Sequence, residues 1–285
     1  MTDATGAEPG NVGHAASNLK QRVVSAIVLI AVVLALTWAG GIWYRLLCAV
    51  IAGAVFYEWS VMTAKEPGGV HGALLWCLMA IVLAALVFGA SAVVMIGVIV
   101  AAIVVGAGHA AFAGGGFWPV AGLAYAGLSG LSLSLVRGDD SSGFAATLFL
   151  FAIVWSTDIL AYFVGKAVGG PKLAPSISPG KTWSGAIGGT VAGIAAGLIA
   201  AMYGGAALGI AVMCLFALVL SVISQIGDLF ESSLKRRFAI KDSSKLIPGH
   251  GGVMDRVDGL VAAAFGMWLI GGVVAGLETP AHAFF

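Results

Sequence analysis

Asp228 and Glu231, and again Asp255 and Asp258, stand three residues apart in segments that read as helix ends, so each pair presents two carboxylates on one face. Ser232 and Lys235 fall on the same stripe as the first pair. Lys235, Arg236, Arg237, Lys241, Lys245 and Arg256 flank both pairs. Carboxylates gather hard divalent cations, and Mg²⁺ is commonly held by one or two of them plus substrate phosphate oxygens. Basic side chains beside them bind the remaining phosphates. A site of this mixed sign suits phosphoryl or nucleotidyl transfer, where positioning and charge neutralisation do most of the catalysis. Dipole complementation at a helix start accounts cheaply for Asp255 and Asp258. It does not account for Asp228 and Glu231, which close a helix where the dipole disfavours acids.

Three further features belong with these acids. Asp158, in "WSTDILAYFVGK", lies eight residues before Lys166, inside an apolar run. An ionised Asp there costs about 2.5–3.5 kcal/mol unless it faces a polar cavity or partner, so it marks a functional position. The run "PGHGG" (248–252) offers glycine N–H groups, at Gly251 and Gly252, that can approach an anion closely, and His250, which can donate a hydrogen bond or shuttle a proton. The loop "GGPKLAPSISPGKTWSG" (169–185) contains G-K-T but is no P-loop: the required earlier glycine is Pro175, and a membrane helix stands where a strand should precede. What survives is a Pro/Gly turn delivering Lys181 and Thr182 at the head of a helix, a fair place to hold phosphate.

The elements that must position these residues are membrane helices. With 285 residues, 60% hydrophobic and only 9% charged, a mean hydropathy of +1.04 and apolar runs along almost the whole length, the chain is expected to be an all-α, polytopic integral membrane protein. Alternating strand patterns are absent, and a net charge of +1 gives no reason to expect nucleic acid as a partner. Spanning helices are predicted near 23–40, 43–62, 72–89, 91–112, 117–136, 145–165, 182–203, 206–230 and 258–277, about nine in all. A cytoplasmic N-terminus leaves only Arg45 and Arg137, of 14 Lys and Arg, on the far side, which obeys the positive-inside rule.

Residues 1–22 are polar and expected to be disordered and cytoplasmic; 23–140 form a transmembrane scaffold whose five helices are nearly free of ionisable groups apart from Glu58. Residues 141–285 form the catalytic transmembrane part, with cytoplasmic loops at 166–181 and 231–257. The early helices would serve as scaffold, lipid-facing wall or oligomer interface, a homodimer among the options, and "GTVAGIAAGLIAA" (189–201) suits tight small-xxx-small crossing. Cys48, Cys77 and Cys214 lie singly inside apolar runs and read as small core hydrophobes.

The segment "SLKRRFAIKDSSKLIPGHGGVMDRVD" (233–258) resembles the signature of phosphatidate cytidylyltransferases, also called CDP-diacylglycerol synthases. Lys235, Arg236, Lys241, Asp242, Pro248, His250, Gly251, Gly252, Asp255, Arg256 and Asp258 fall in register. "SQIGDLFES" (224–232), "WSTDILAYFVGK" (155–166) and "SPGKTWSG" (178–185) extend the likeness over roughly residues 150–277, while the N-terminal half resembles the family only in hydropathy. One departure is Ser184, where many members carry Glu.

The resemblance implies that CTP and phosphatidate give CDP-diacylglycerol and pyrophosphate, with Mg²⁺, at the cytoplasmic face of the cell membrane. It leaves open a second divalent or a monovalent cation. On this reading Asp228 and Asp255 hold metal, with Asp158 and Asp258 as further ligands. Lys181, Lys235, Arg236, Lys241 and Arg256 bind phosphates, Ser178 and Thr182 add hydroxyl contacts, and His250 completes the site. The charge then gathers at one end because one substrate is dissolved in water and the other in lipid. Rival readings are a CTP-dependent lipid kinase, an ion-coupled transporter, and a CDP-alcohol phosphatidyltransferase, whose motif "DRVDGLVAA" (255–263) imitates until Ala263 replaces the required Arg.

Overall fold

The computed structural model describes residues 10–63, 69–114, 116–244, 246–247 and 251–285, and of residues 10–23 the backbone alone. Among the described residues nine long helices follow one another: α1 Gly10–Ala39, α2 Gly41–Thr63, α3 Val70–Val87, α4 Ala92–Ala113, α5 Trp118–Arg137, α6 Ser141–Val168, α7 Trp183–Gly204, α8 Ile210–Arg237 and α9 Met254–Ala275. A short 3-10 helix, Pro280–Ala283, ends the chain, and two short strands, β1 Lys172–Ala174 and β2 Ser178–Thr182, pair between α6 and α7. Helices α2 to α9 are each long and apolar enough to cross a membrane; in α1 the apolar stretch with described side chains is Val24–Ala39. The chain is thus an all-α polytopic membrane protein.

Local chemistry sets the helix ends. Asp140 caps α6 by accepting from Gly143 N at 2.8 Å, and Thr182 caps α7 by accepting from Gly185 N at 3.1 Å. Gly114 and Gly205 close α4 and α7 in the left-handed conformation that only glycine adopts freely.

Three differences from expectation stand out. Helix α1 begins at Gly10, inside the segment 1–22 that precedes the first expected span, and no proline interrupts the run. Residues 1–9 of that segment lie outside the described residues. Helix α8 continues to Arg237, because Lys235, Arg236 and Arg237 complement the negative pole of its last turn. The predicted loop 231–257 therefore shrinks to 238–253, and the acid and base of its first turns become helix-borne. The third difference is the hairpin, antiparallel with Lys172 opposite Thr182 and Ala174 opposite Ser178. Gly180, Lys181 and Thr182 lie within β2 itself, so the geometry is again not that of a P-loop.

Packing brings these pieces to one end. On α7, Gly185, Gly189, Gly193, Gly197 and Ala201 form a buried stripe at every fourth residue. A Cβ on Gly189 would sit 2.5 Å from the Thr157 carbonyl oxygen, and one on Gly185 2.6 Å from that of Ala161, so the backbones of α6 and α7 touch. Beneath that contact Thr157 Oγ1 lies 2.9 Å from Ser221 Oγ, Ser221 bonds Thr190 at 3.3 Å, and Gln225 Nε2 donates to Thr190 Oγ1 at 2.9 Å. These bonds tie α6, α7 and α8 together, with Thr157 and Ser221 fully buried. Helix α5 packs between α2 and α9, and Trp59 of α2 donates its indole N–H to the Trp118 carbonyl at 2.8 Å. At the opposite end of the bundle Tyr44, Ser91, Asp140 and His282 line a smaller cavity of about 420 Å³.

Candidate active site

A cavity of about 740 Å³ opens where the C-terminal ends of α6 and α8 meet the β-hairpin and the starts of α7 and α9. Four elements supply its charge. Helix α6 gives Asp158 and Lys166, the hairpin gives Lys172, Ser178, Lys181 and Thr182, α8 gives Asp228, Glu231 and Lys235, and α9 gives Asp255, Arg256 and Asp258. Residues separated by about a hundred positions in sequence thus share one polar chamber at the ends of membrane helices.

Asp158, Asp228 and Asp258 feel one another's charge, and Lys181 acts on both Asp158 and Asp258. Lys181 pairs directly with Asp228. Ser232 Oγ donates to the other Asp228 oxygen at 3.5 Å, as the helical stripe requires. Asp258 is buried and accepts from Gly259 N at 2.8 Å. Asp158 makes no hydrogen bond or ion pair among the described residues. One ammonium thus serves three carboxylates.

Beside this group runs a second one. Lys235 Nζ lies 2.7 Å from Asp255 Oδ1 and 2.7 Å from Glu231 Oε2. The contact to Glu231, a side chain only 1% exposed, is an ion pair that lacks hydrogen-bond direction. Asp255 also accepts from Ser243 N at 3.1 Å and Gly252 N at 2.9 Å, and Ser243 Oγ, whose one hydrogen is shared with Glu58, lies 3.1 Å from its Oδ2. Its oxygens are occupied by protein donors.

Other expected site residues fall elsewhere. Arg236 points a helical step away from Lys235 and donates to the Ile177 carbonyl at 3.2 Å, bracing the hairpin. Lys241 is exposed and off the cavity. Thr182 Oγ1 is buried and committed to capping α7. Ser184, 3.0 Å from Thr182 Oγ1, donates to the Gly169 carbonyl and so ties the exit of α6 to the head of α7. Gly251 and Gly252 turn toward the protein's own carboxylates: a Cβ on Gly252 would lie 2.7 Å from both Glu58 oxygens and 1.9 Å from Ser243 Oγ. His250, with Pro248, Lys245 and Lys65, lies outside the described residues.

Glu58 is the functional-site residue that sequence reasoning passes over. It is completely buried on α2, and its oxygens accept from Ser243, Ser244, Val253 and Met254. Its one sequence signal is that it is the single acid within the five predicted helices of the N-terminal half.

The donor set fits a hard divalent cation. Among the described residues no three His, Cys, Asp or Glu side chains converge on one point. Mg²⁺ does not need that, since it takes one or two carboxylates and completes its shell with water and substrate phosphate. Asp158, Asp228 and Asp258, with Lys181 already among them as a single positive charge, provide that surplus of negative charge.

Comparison with known proteins agrees with this chemistry. The chain is 49% identical over 269 residues to a phosphatidate cytidylyltransferase of Brucella suis, covering 94% of this chain and 99% of the relative. A phosphatidate cytidylyltransferase of Haemophilus influenzae is 40% identical over 142 residues (48% of this chain, 49% of the relative), and one of Bacillus subtilis 39% over 123 residues (43% and 46%). Residues 20–274 match the cytidylyltransferase family as a whole, so the resemblance reaches into the N-terminal half as well, and the chain belongs to that family.

Proposed function

We propose that the protein transfers the CMP moiety of CTP to phosphatidate, forming CDP-diacylglycerol and pyrophosphate. The observation that carries the reading is a single chamber lined by five carboxylates, Asp158, Asp228, Glu231, Asp255 and Asp258, and five basic side chains, Lys166, Lys172, Lys181, Lys235 and Arg256, at the ends of membrane helices. A phosphatidate phosphate oxygen attacks the α-phosphorus of CTP; the bond from that phosphorus to the bridging oxygen breaks, and pyrophosphate leaves with its electrons. The nucleophile arrives anionic, so the enzyme must mainly overcome repulsion between two polyanions.

Asp158, Asp228 and Asp258 would hold Mg²⁺, which neutralises charge on the phosphates. Lys181 exchanges its Asp228 partner for phosphate oxygen as the substrates enter. Arg256 and Lys235 receive the remaining phosphate charge, and Ser178 offers a hydroxyl at the hairpin. Asp255 holds Lys235 and the 243–252 loop in place, a role its occupied oxygens favour over metal ligation. The chamber faces the cytoplasm, the source of CTP, and the apolar flanks of α6 and α8 admit the acyl chains from the bilayer.

The test is an assay in detergent micelles with CTP labelled at its α- or γ-phosphate. Label from the α-position in the lipid fraction, only when phosphatidate and Mg²⁺ are both present, is expected. Lipid labelled from the γ-position instead would make the protein a kinase, and label in neither case would discard the enzymatic reading.

A further inference from the structure

Glu58 lies on α2, far in sequence from every residue of the chamber, yet four donors converge on its carboxyl group. Ser244 Oγ at 2.5 Å and Val253 N at 2.8 Å donate to Oε1; Ser243 Oγ at 2.9 Å and Met254 N at 2.7 Å donate to Oε2. Val253 is the N-cap of α9 and Met254 its first residue, where backbone N–H groups lack helical partners, and no side chain of the local sequence caps them. Glu58 therefore caps α9 from another helix. The glycine-rich turn before α9 is shaped to admit it, since any side chain at Gly252 would collide with the Glu58 oxygens.

The contact leads into the chamber. Ser243 Oγ faces Glu58 at 2.9 Å and Asp255 Oδ2 at 3.1 Å, and Ser243 N adds a further bond to Asp255. Asp255 Oδ1 then holds Lys235 Nζ at 2.7 Å. Ser244, by contrast, donates to Glu58 and makes no hydrogen bond to Asp255. We infer that Glu58 is a positioning residue: through Ser243 it fixes the aim of Asp255 and Lys235 before either substrate arrives. Its kinetic consequence rests on the reaction proposed above.

The experiment compares Glu58→Gln, Ser243→Ala and Ser244→Ala with wild type, measuring kcat, KM for CTP, and deuterium exchange of residues 251–260 without substrates. Glutamine keeps the shape but turns an amide N–H₂ toward donors, so exchange at the start of α9 is expected to quicken. Losing hydrogen bonds to a charged group is expected to lower kcat about tenfold or more, with KM changed less than about twofold. Ser243→Ala should lower kcat in the same sense and Ser244→Ala should leave it near wild type. A purely structural role would make the two serine variants equal, and that result, or unchanged kcat and exchange in Glu58→Gln, overturns the inference. If Glu58→Gln does not insert, the serine pair still decides. A wild type that forms no CDP-diacylglycerol refutes the proposed reaction instead, while the exchange data still report whether Glu58 holds the loop.

Discussion

At the scale of single residues, two aspartates that look alike in sequence have different work. Asp228 shares a chamber with Asp158 and Asp258 and one ammonium, whereas each oxygen of Asp255 is held by Lys235 or by the 243–252 loop. Asp228→Asn is therefore expected to raise the Mg²⁺ concentration needed for half-maximal rate and to cut the rate about a thousandfold, the equivalent of several kcal/mol of charge stabilisation. Asp255→Asn is expected to lower kcat while leaving the Mg²⁺ requirement unchanged. A Mg²⁺ titration of both variants checks this; a shifted requirement in Asp255→Asn alone would restore it as the metal ligand. The acids were legible in the sequence because a charge inside an apolar run is costly and so is kept only for a reason. What they bind was not legible, since the partners of Asp255 lie in a loop whose path depends on Glu58, and those of Glu58 lie 185 to 196 residues away.

Elements explain how such partners meet. The small-residue stripe of α7 could be read directly from "GTVAGIAAGLIAA", and it brings α6 close enough to place Asp158, next to Thr157, on the chamber wall. Gly189→Ala should collide with the Thr157 backbone, which cannot swing aside, and overpacking of this kind costs about 1–3 kcal/mol. Gly97→Ala on α4 meets nothing within 4 Å and is the matched control. Melting curves and turnover of both variants in detergent test the contrast: equal behaviour would mean the helices separate more easily than their backbones suggest. The hairpin was not legible, because β1 and β2 are three and five residues long and Pro179 interrupts the second, leaving no alternation to detect.

The far end of the bundle offers an element-scale test in pH. Asp140, outside the membrane spans, is held below the usual aspartate range first by the Gly143 N–H and then by His282, 2.5 Å away. A carboxyl lowered on folding stabilises the fold above its unfolded pKa, near about 3.9, and loses that contribution as pH falls through the folded value. Asp140→Ala should cost about 1 kcal/mol at neutral pH, the ordinary value of an N-cap, and the gap to wild type should narrow below about pH 4. A gap that stays constant with pH would show that only the geometry of the cap matters.

The whole molecule is less divisible than its charge distribution suggests. Charge separates an inert N-terminal half from a reactive C-terminal one, but α5 packs against both α2 and α9, and Glu58 closes the signature loop from within the first half. The same up-and-down path fixes which connections share a side. The hairpin and the 238–253 loop lie at the chamber end, while the α5–α6 and α7–α8 connections lie at the other. Lys and Arg crowd the first end, and Arg45 and Arg137 stand at the second, so the positive-inside rule predicts a cytoplasmic chamber. Two single-cysteine variants made in a Cys48, Cys77 and Cys214-free background read this out, since Lys241 and Ala207 are exposed at opposite ends. A membrane-impermeant maleimide applied to spheroplasts should label Ala207→Cys directly and Lys241→Cys only after the membrane is opened. The reverse pattern would place the carboxylate chamber outside, where no CTP is supplied, and the proposed reaction could not run in that orientation. The outcome therefore bears on chemistry as well as topology: the charge asymmetry from which the orientation is predicted includes the lysines and arginine that line the chamber, Lys166, Lys172, Lys181, Lys235 and Arg256.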